Sequence, residues 1–185
     1  DVMKRALPWL LGAALVLGAG LVTAVTPSDE DVVGPITVHG HAGETVAART
    51  IIATVTDATF ADEVVESAWS AEGNWLVITL DASAATTEVD AGIQLATLAV
   101  DDRVFQASER PSAPLRGTAL RVGTETTGAL SFELPTELDS GIAELRLSPG
   151  YSTPELDDLV VISIDLDDLP RVSSADLVAP GWSDE

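Results

Sequence analysis

The sequence predicts an all-β sandwich of about seven to eight strands, preceded by one N-terminal transmembrane α-helix. Three observations predict it. One long uncharged run, Ala6 to Thr26, stands at the N-terminal end. Beyond it, apolar and polar residues alternate in short stretches separated by turn-forming clusters. No segment after residue 30 sustains a helical apolar period over three turns. Period-two alternation marks strands with one buried face, and many short strands without intervening helices mark a sandwich, with a closed barrel as the alternative.

The apolar run reads ALPWLLGAALVLGAGLVTAVT. Its 21 residues, at 1.5 Å each, reach across roughly 30 Å, the thickness of a bilayer core. Lys4 and Arg5 precede it, and Asp29, Glu30 and Asp31 follow it. That asymmetry puts residues 1–5 in the cytoplasm, a span at 6–26 in the plasma membrane, and the rest of the chain outside. Pro8 falls in the first turn, where a missing N–H costs little, and Trp9 suits the membrane interface. A cleaved signal peptide is the competing reading, with Val22-Thr23-Ala24 as its cleavage site; the run is longer than an ordinary signal core. Two small-xxx-small pairs, Ala14/Gly18 and Gly20/Ala24, would let another membrane helix approach closely. They make a membrane-protein partner or a homo-oligomer the expected association.

Residues 27–35 (PSDEDVVGP) form an acidic linker between prolines. A sandwich is expected over 36–170. Ile51, Ala53 and Val55 alternate with Ile52, Thr54 and Thr56. Leu76, Ile78, Leu80 and Ala82 share one face, opposite Trp75, Val77, Thr79 and Asp81. Leu130, Phe132 and Leu134 follow, then Leu145 and Leu147, then Val160, Ile162, Ile164 and Leu166. Turns are expected at Glu72-Gly73-Asn74, Asp101-Asp102, Pro111 to Pro114, Asp139-Ser140-Gly141 and Pro149-Gly150. Residues 62–68 allow one short helical turn at most. Residues 171–185 read as a C-terminal tail, with Trp182 as its anchor.

Four stretches carry a resemblance: GETVAARTIIATVTDATFADEV, GNWLVITLDASAA, LATLAVDDRVFQASE and GTETTGALSFELP. Their order resembles the small telokin-like, immunoglobulin-type domains of unknown function on bacterial, actinobacterial-looking, membrane-anchored proteins and lipoproteins. The resemblance runs from about Gly43 to Leu147. It implies an immunoglobulin-like β-sandwich outside the cell and brings no catalytic residues. The lipobox cysteine of lipoprotein members is absent, so anchoring would fall to the helix.

Composition narrows the chemistry. There is no cysteine, which excludes disulfides, thiolate metal sites and a cysteine nucleophile. Hydrophobic residues make up 46%, enough for a core. The net charge is −21. Asp1, Lys4 and Arg5 lie before the apolar run, which leaves 29 acids against 7 arginines after it. Such a surface repels phosphate backbones, so no nucleic-acid partner is expected.

Candidate sites are few. His39 and His41, two apart on a strand, would face the same way and make half of a metal site, with Glu44 nearby. Asp157, Asp158, Asp165, Asp167 and Asp168 are rich in the oxygen ligands calcium prefers, but their spacing is not that of an EF-hand loop. Solvated histidines and a charged edge that resists aggregation explain both groups without a metal. No nucleophile elbow, P-loop, dinucleotide fingerprint or H-E-x-x-H occurs, so no enzyme and no cofactor are expected. Trp69, Trp75 and Trp182 are the candidate partner contacts, provided they are uncovered. The expected role is that of a non-enzymatic, membrane-anchored accessory or binding subunit of a bacterial cell-envelope complex, for example one associated with a transporter. A calcium- or ligand-binding sensor is the alternative, and an envelope hydrolase a more distant one.

Overall fold

The computed structural model describes residues 2–25, 34–67, 69–150 and 157–182. The chain divides into two compact units, residues 1–34 and 35–185. The first contains helix α1, Val2–Val25. Side chains are described for Trp9 and for residues 11–23, and all of them are exposed, Leu11, Leu15, Val16, Leu17, Leu21 and Val22 among them. Among the described residues, no helix is long and apolar enough to cross a membrane. Most of the acidic linker lies outside the described residues.

The second unit is a two-sheet sandwich. Its strands are β1 (Ile36–His41), β2 (Thr45–Ala47), β3 (Ile51–Glu66), β4 (Trp69–Ala84), β5 (Leu95–Val100), β6 (Arg103–Gln106), β7 (Thr126–Leu134), β8 (Ile142–Ser148), β9 (Asp158–Asp165), β10 (Arg171–Val172), β11 (Ala175–Asp176) and β12 (Gly181–Trp182). One sheet runs β1-β9-β8-β5-β6, with β1 parallel to β9 and the other neighbours antiparallel. The other runs β10-β3-β4-β7-β12, with β2 and β11 also on the β3 edge.

The core lies between the sheets and follows the alternation in the sequence. Leu76, Ile78 and Leu80 of β4 meet Leu130 and Phe132 of β7, Leu145 and Leu147 of β8, and Val160, Ile162 and Ile164 of β9. Each of these large side chains, once buried, contributes about 1.5–3 kcal/mol. Gly40 of β1 points inward, and a Cβ there would stand 2.4 Å from Val46 Cγ2. Only glycine lets β1 lie this close to β2.

Three local expectations change. Residues 62–66 are the end of β3, not a helical turn. The strand passes through a tight connection, with Ser67 at φ 52°, and returns as β4 from Trp69. Second, Glu72-Gly73-Asn74 makes no turn, because β4 runs straight through it. Gly73 is needed for space, since a Cβ would lie 3.0 Å from Trp75 Nε1. Asn74 turns its side-chain amide to the carbonyls of Pro135 and Leu138, at 2.8 and 3.1 Å. Third, residues 171–182, read above as a tail, form three short strands. β10 and β11 extend the β3 edge in parallel, and β12 pairs with β7. The segment between them donates and accepts at Val65 and Ala129, so it straps the outer face of this sheet.

Candidate interaction surfaces

That strap decides the fate of the tryptophans. Trp75 and Val77 do face away from the core, as the alternation requires. They are nonetheless buried in a second cluster with Ala61, Val64, Ala71 and Ala129, under Ala175 and Leu177. Trp75 is completely enclosed, so as a partner contact it is corrected: no partner can reach it. Trp69 is half-buried against the same cluster. The Arg110 guanidinium lies 5.5 Å from the Trp75 ring and 5.6 Å from the Trp69 ring, and its Nη1 reaches Glu133 at 2.9 Å. An Arg between two indoles adds roughly 0.5–2 kcal/mol and closes the surface further. Trp182 alone of the three stays open, at 71% exposure, with Arg121 6.0 Å from its ring.

The late aspartates do not form one group. Asp157 and Asp158 stand at the start of β9, while Asp165, Asp167 and Asp168 stand at its far end. At about 3.3 Å per residue, the seven-residue step from 158 to 165 separates the two sets by roughly 23 Å. Asp158 is a structural carboxylate. It is 1% exposed, accepts the N–H of Thr50, and pairs with Arg49 Nε at 3.3 Å. Asp157 receives Arg49 at 3.7 Å. At the other end, Asp165 accepts the N–H of Asp167, which is a local turn. Asp165 and Asp168 join Asp57 around an open cleft of about 360 Å³ beside Ala42 and Gly43.

His39 and His41 lie on the exposed outer face of β1, opposite Val161 and Ser163 of β9. Glu44 serves the local turn, accepting the N–H of His41 at 3.2 Å. Among the described residues, no group of three or more histidines and carboxylates is placed to hold a metal ion. On the helix, Ala14, Gly18 and Gly20 are exposed, and nothing lies within 4 Å of a Cβ built on Gly18 or Gly20. The side chain of Ala24 lies outside the described residues.

Glu66 was not singled out by any motif. Its carboxylate accepts the N–H of Ser112 at 2.6 Å, the Ser112 hydroxyl at 2.8 Å and the N–H of Ala113 at 3.1 Å. The Ser112 backbone bond, followed by its hydroxyl, holds the Glu66 carboxyl below its ordinary pKa. The pairing ties the hairpin tip to the proline-rich loop 111–114, 46 residues away in sequence.

No family model and no curated protein matches the chain. A crystal structure of an uncharacterized β-sandwich protein from Clostridium difficile 630 is similar to it at 11% identity and a TM-score of 0.47, covering 76% of this chain and all of that one.

Proposed function

We propose that the chain is a non-enzymatic accessory or binding subunit of a bacterial cell-envelope complex, anchored in the plasma membrane by α1, with its sandwich outside. A transporter is one such complex. The observation that carries this reading is the character of α1. Its described side chains are apolar apart from Thr23, whose hydroxyl donates to the Ala19 carbonyl at 3.0 Å. Large apolar side chains exposed along the helix need an apolar cover, which lipid supplies. The uncharged sequence extends beyond these residues to 21 in all, with Lys4 and Arg5 before it and acids after it.

The immunoglobulin-type reading of the sandwich draws on strand order. Such folds place strands C, F and G in one sheet and B and E in the other. Here β5, β8 and β9 are successive neighbours in one sheet, and β4 and β7 are paired in the other. The sensor alternative has less support, because its aspartates are divided between the two ends of β9.

The test is fractionation of the full chain expressed in a bacterial host. It should resist alkaline extraction from membranes, and added protease should digest the sandwich in spheroplasts. Recovery in the alkaline supernatant would remove the anchor. Solubilisation in mild detergent should then return a stoichiometric membrane-protein partner or a defined homo-oligomer, and a lone monomer would count against the accessory role.

A further inference from the structure

The five-stranded sheet ends in two strands that have a neighbour on one side only, β1 and β6. β6 is four residues long and follows the turn Asp101-Asp102, with Arg103 paired to Glu137 at 3.7 Å. Shortness and charge are usual protections of a sheet edge. β1 has neither. Its six residues, ITVHGH, include no proline, carboxylate, lysine or arginine, in a unit of 26 acids and 7 arginines. Parallel pairing uses every second residue of an edge strand. Ile36 donates to the Asp157 carbonyl and Ala42 to that of Ser163, so the even-numbered residues of β1 bond β9. The N–H and C=O of Thr37, His39 and His41 therefore point away from the sheet. Those of His41 are used locally, the N–H by Glu44 Oε2 and the carbonyl by the Glu44 N–H. Among the described residues, no group bonds those of Thr37 and His39, and both residues are exposed.

We propose that β1 pairs antiparallel with β1 of a second copy, joining two five-stranded sheets into one. The two residues with free backbone groups fix the register. Thr37 opposite His39 of the second copy, and His39 opposite its Thr37, exchange N–H···O bonds in both directions and leave none of these groups unmet. Val38 then faces its own counterpart on the two-fold axis, as an isologous interface requires. Ile36 lies on the core side of β1 with half-buried Val38, yet is 57% exposed. In this register it stands opposite Gly40 of the second copy and gains cover there. Charge decides between occupants. A cationic strand would need free acids along this edge, and β1 has none. Glu44 is held by His41, and Asp157 and Asp158 at the other end are held by Arg49. In so acidic a molecule, an uncharged edge is the strip along which two copies approach with little repulsion. The pairing needs only the sandwich and stands whether or not α1 is an anchor.

The chain has no cysteine, so an introduced thiol is the only one present. In the full-length chain in detergent micelles, Val38→Cys under mild oxidation should give a disulfide-linked dimer. The Cα atoms of such a pair stand about 4.5 Å apart, within the roughly 4.4–6.8 Å that a disulfide spans. Val104→Cys, on the β6 edge at 59% exposure, has only collision to bring two thiols together. It should link about tenfold more slowly. Thr37→Pro removes an outward N–H and no bond to β9, a place where an edge tolerates proline. Added to Val38→Cys, it should cut linking to the Val104→Cys level with the thermal midpoint unchanged. Should it unfold the sandwich, the ratio of linking at 38 to linking at 104 decides alone. Linking at 38 no faster than at 104 overturns the pairing. So does a dimer that persists without linking at 38, which α1 would be holding. A benzophenone attached at Cys-substituted Val38 that joins a different protein in host membranes, and never a second copy, points to a foreign strand and also overturns it.

Discussion

Glu66 and Asp158 show two ways in which this acidic chain uses a carboxylate structurally. Glu66 accepts three hydrogen bonds from Ser112 and Ala113, which favour its ionised form and lower its pKa. The unfolded value is about 4.3. Stabilisation from a lowered pKa is therefore present above that value and is lost as pH falls through the folded one. Glu66→Gln should leave the slope of stability against pH shallower below about pH 4.5 than in the parent, and thermal melts at stepped pH would measure it. An unchanged acid limb would deny the Ser112 bonds this role. Asp158 is buried, and its removal strands the N–H of Thr50. Asp158→Ala should lower stability by about 1–3 kcal/mol, seen as a lower urea midpoint at constant slope. Neither residue stands out in a sequence with 30 acids, because nothing local distinguishes a carboxylate that will meet donors from one that will meet water.

Strands were legible where alternation was unbroken. The faces of β4, β7, β8 and β9 follow the sequence pattern, because a side chain on a strand alternates faces with no tertiary help. β3 departs from it. Register shifts between Val55 and Asp57, and between Ala61 and Glu63, each move the inward phase by one residue, so Val55 and Ala58 both face the core. Bulges of this kind depend on the partner strand, and an alternation count passes over them. The strap was equally hidden, since its strands are two residues long and have no period to read. Leu177→Asp tests its role as a cover. A carboxylate against Trp75 and Val64 should lift the strap, shift tryptophan emission to the red, and cost about 1–3 kcal/mol by denaturant melt. Emission at the parental wavelength would mean that the Arg110 stack alone seals Trp75.

At the scale of the whole molecule, 26 acids against 7 arginines between residues 35 and 185 make the sandwich unit strongly self-repelling. Salt shortens the reach of that repulsion to about 10 Å at 0.1 M. Raising sodium chloride from about 0.02 M to about 0.5 M should therefore raise Tm by several degrees, since 1 kcal/mol is worth about 2–4 °C at this size. A flat response in scanning calorimetry would mean the charges already lie too far apart to matter. By itself, the sequence determined the apolar N-terminal helix, the two-layered β architecture and the faces of most long strands, because each follows from a local repeat of hydrophobicity. Tertiary structure alone decided that Trp75 is sealed while Trp182 is open, and that Asp158 is buried against Thr50 and Arg49. Those outcomes depend on which distant segment crosses which face, and periodicity along the chain carries no information about that.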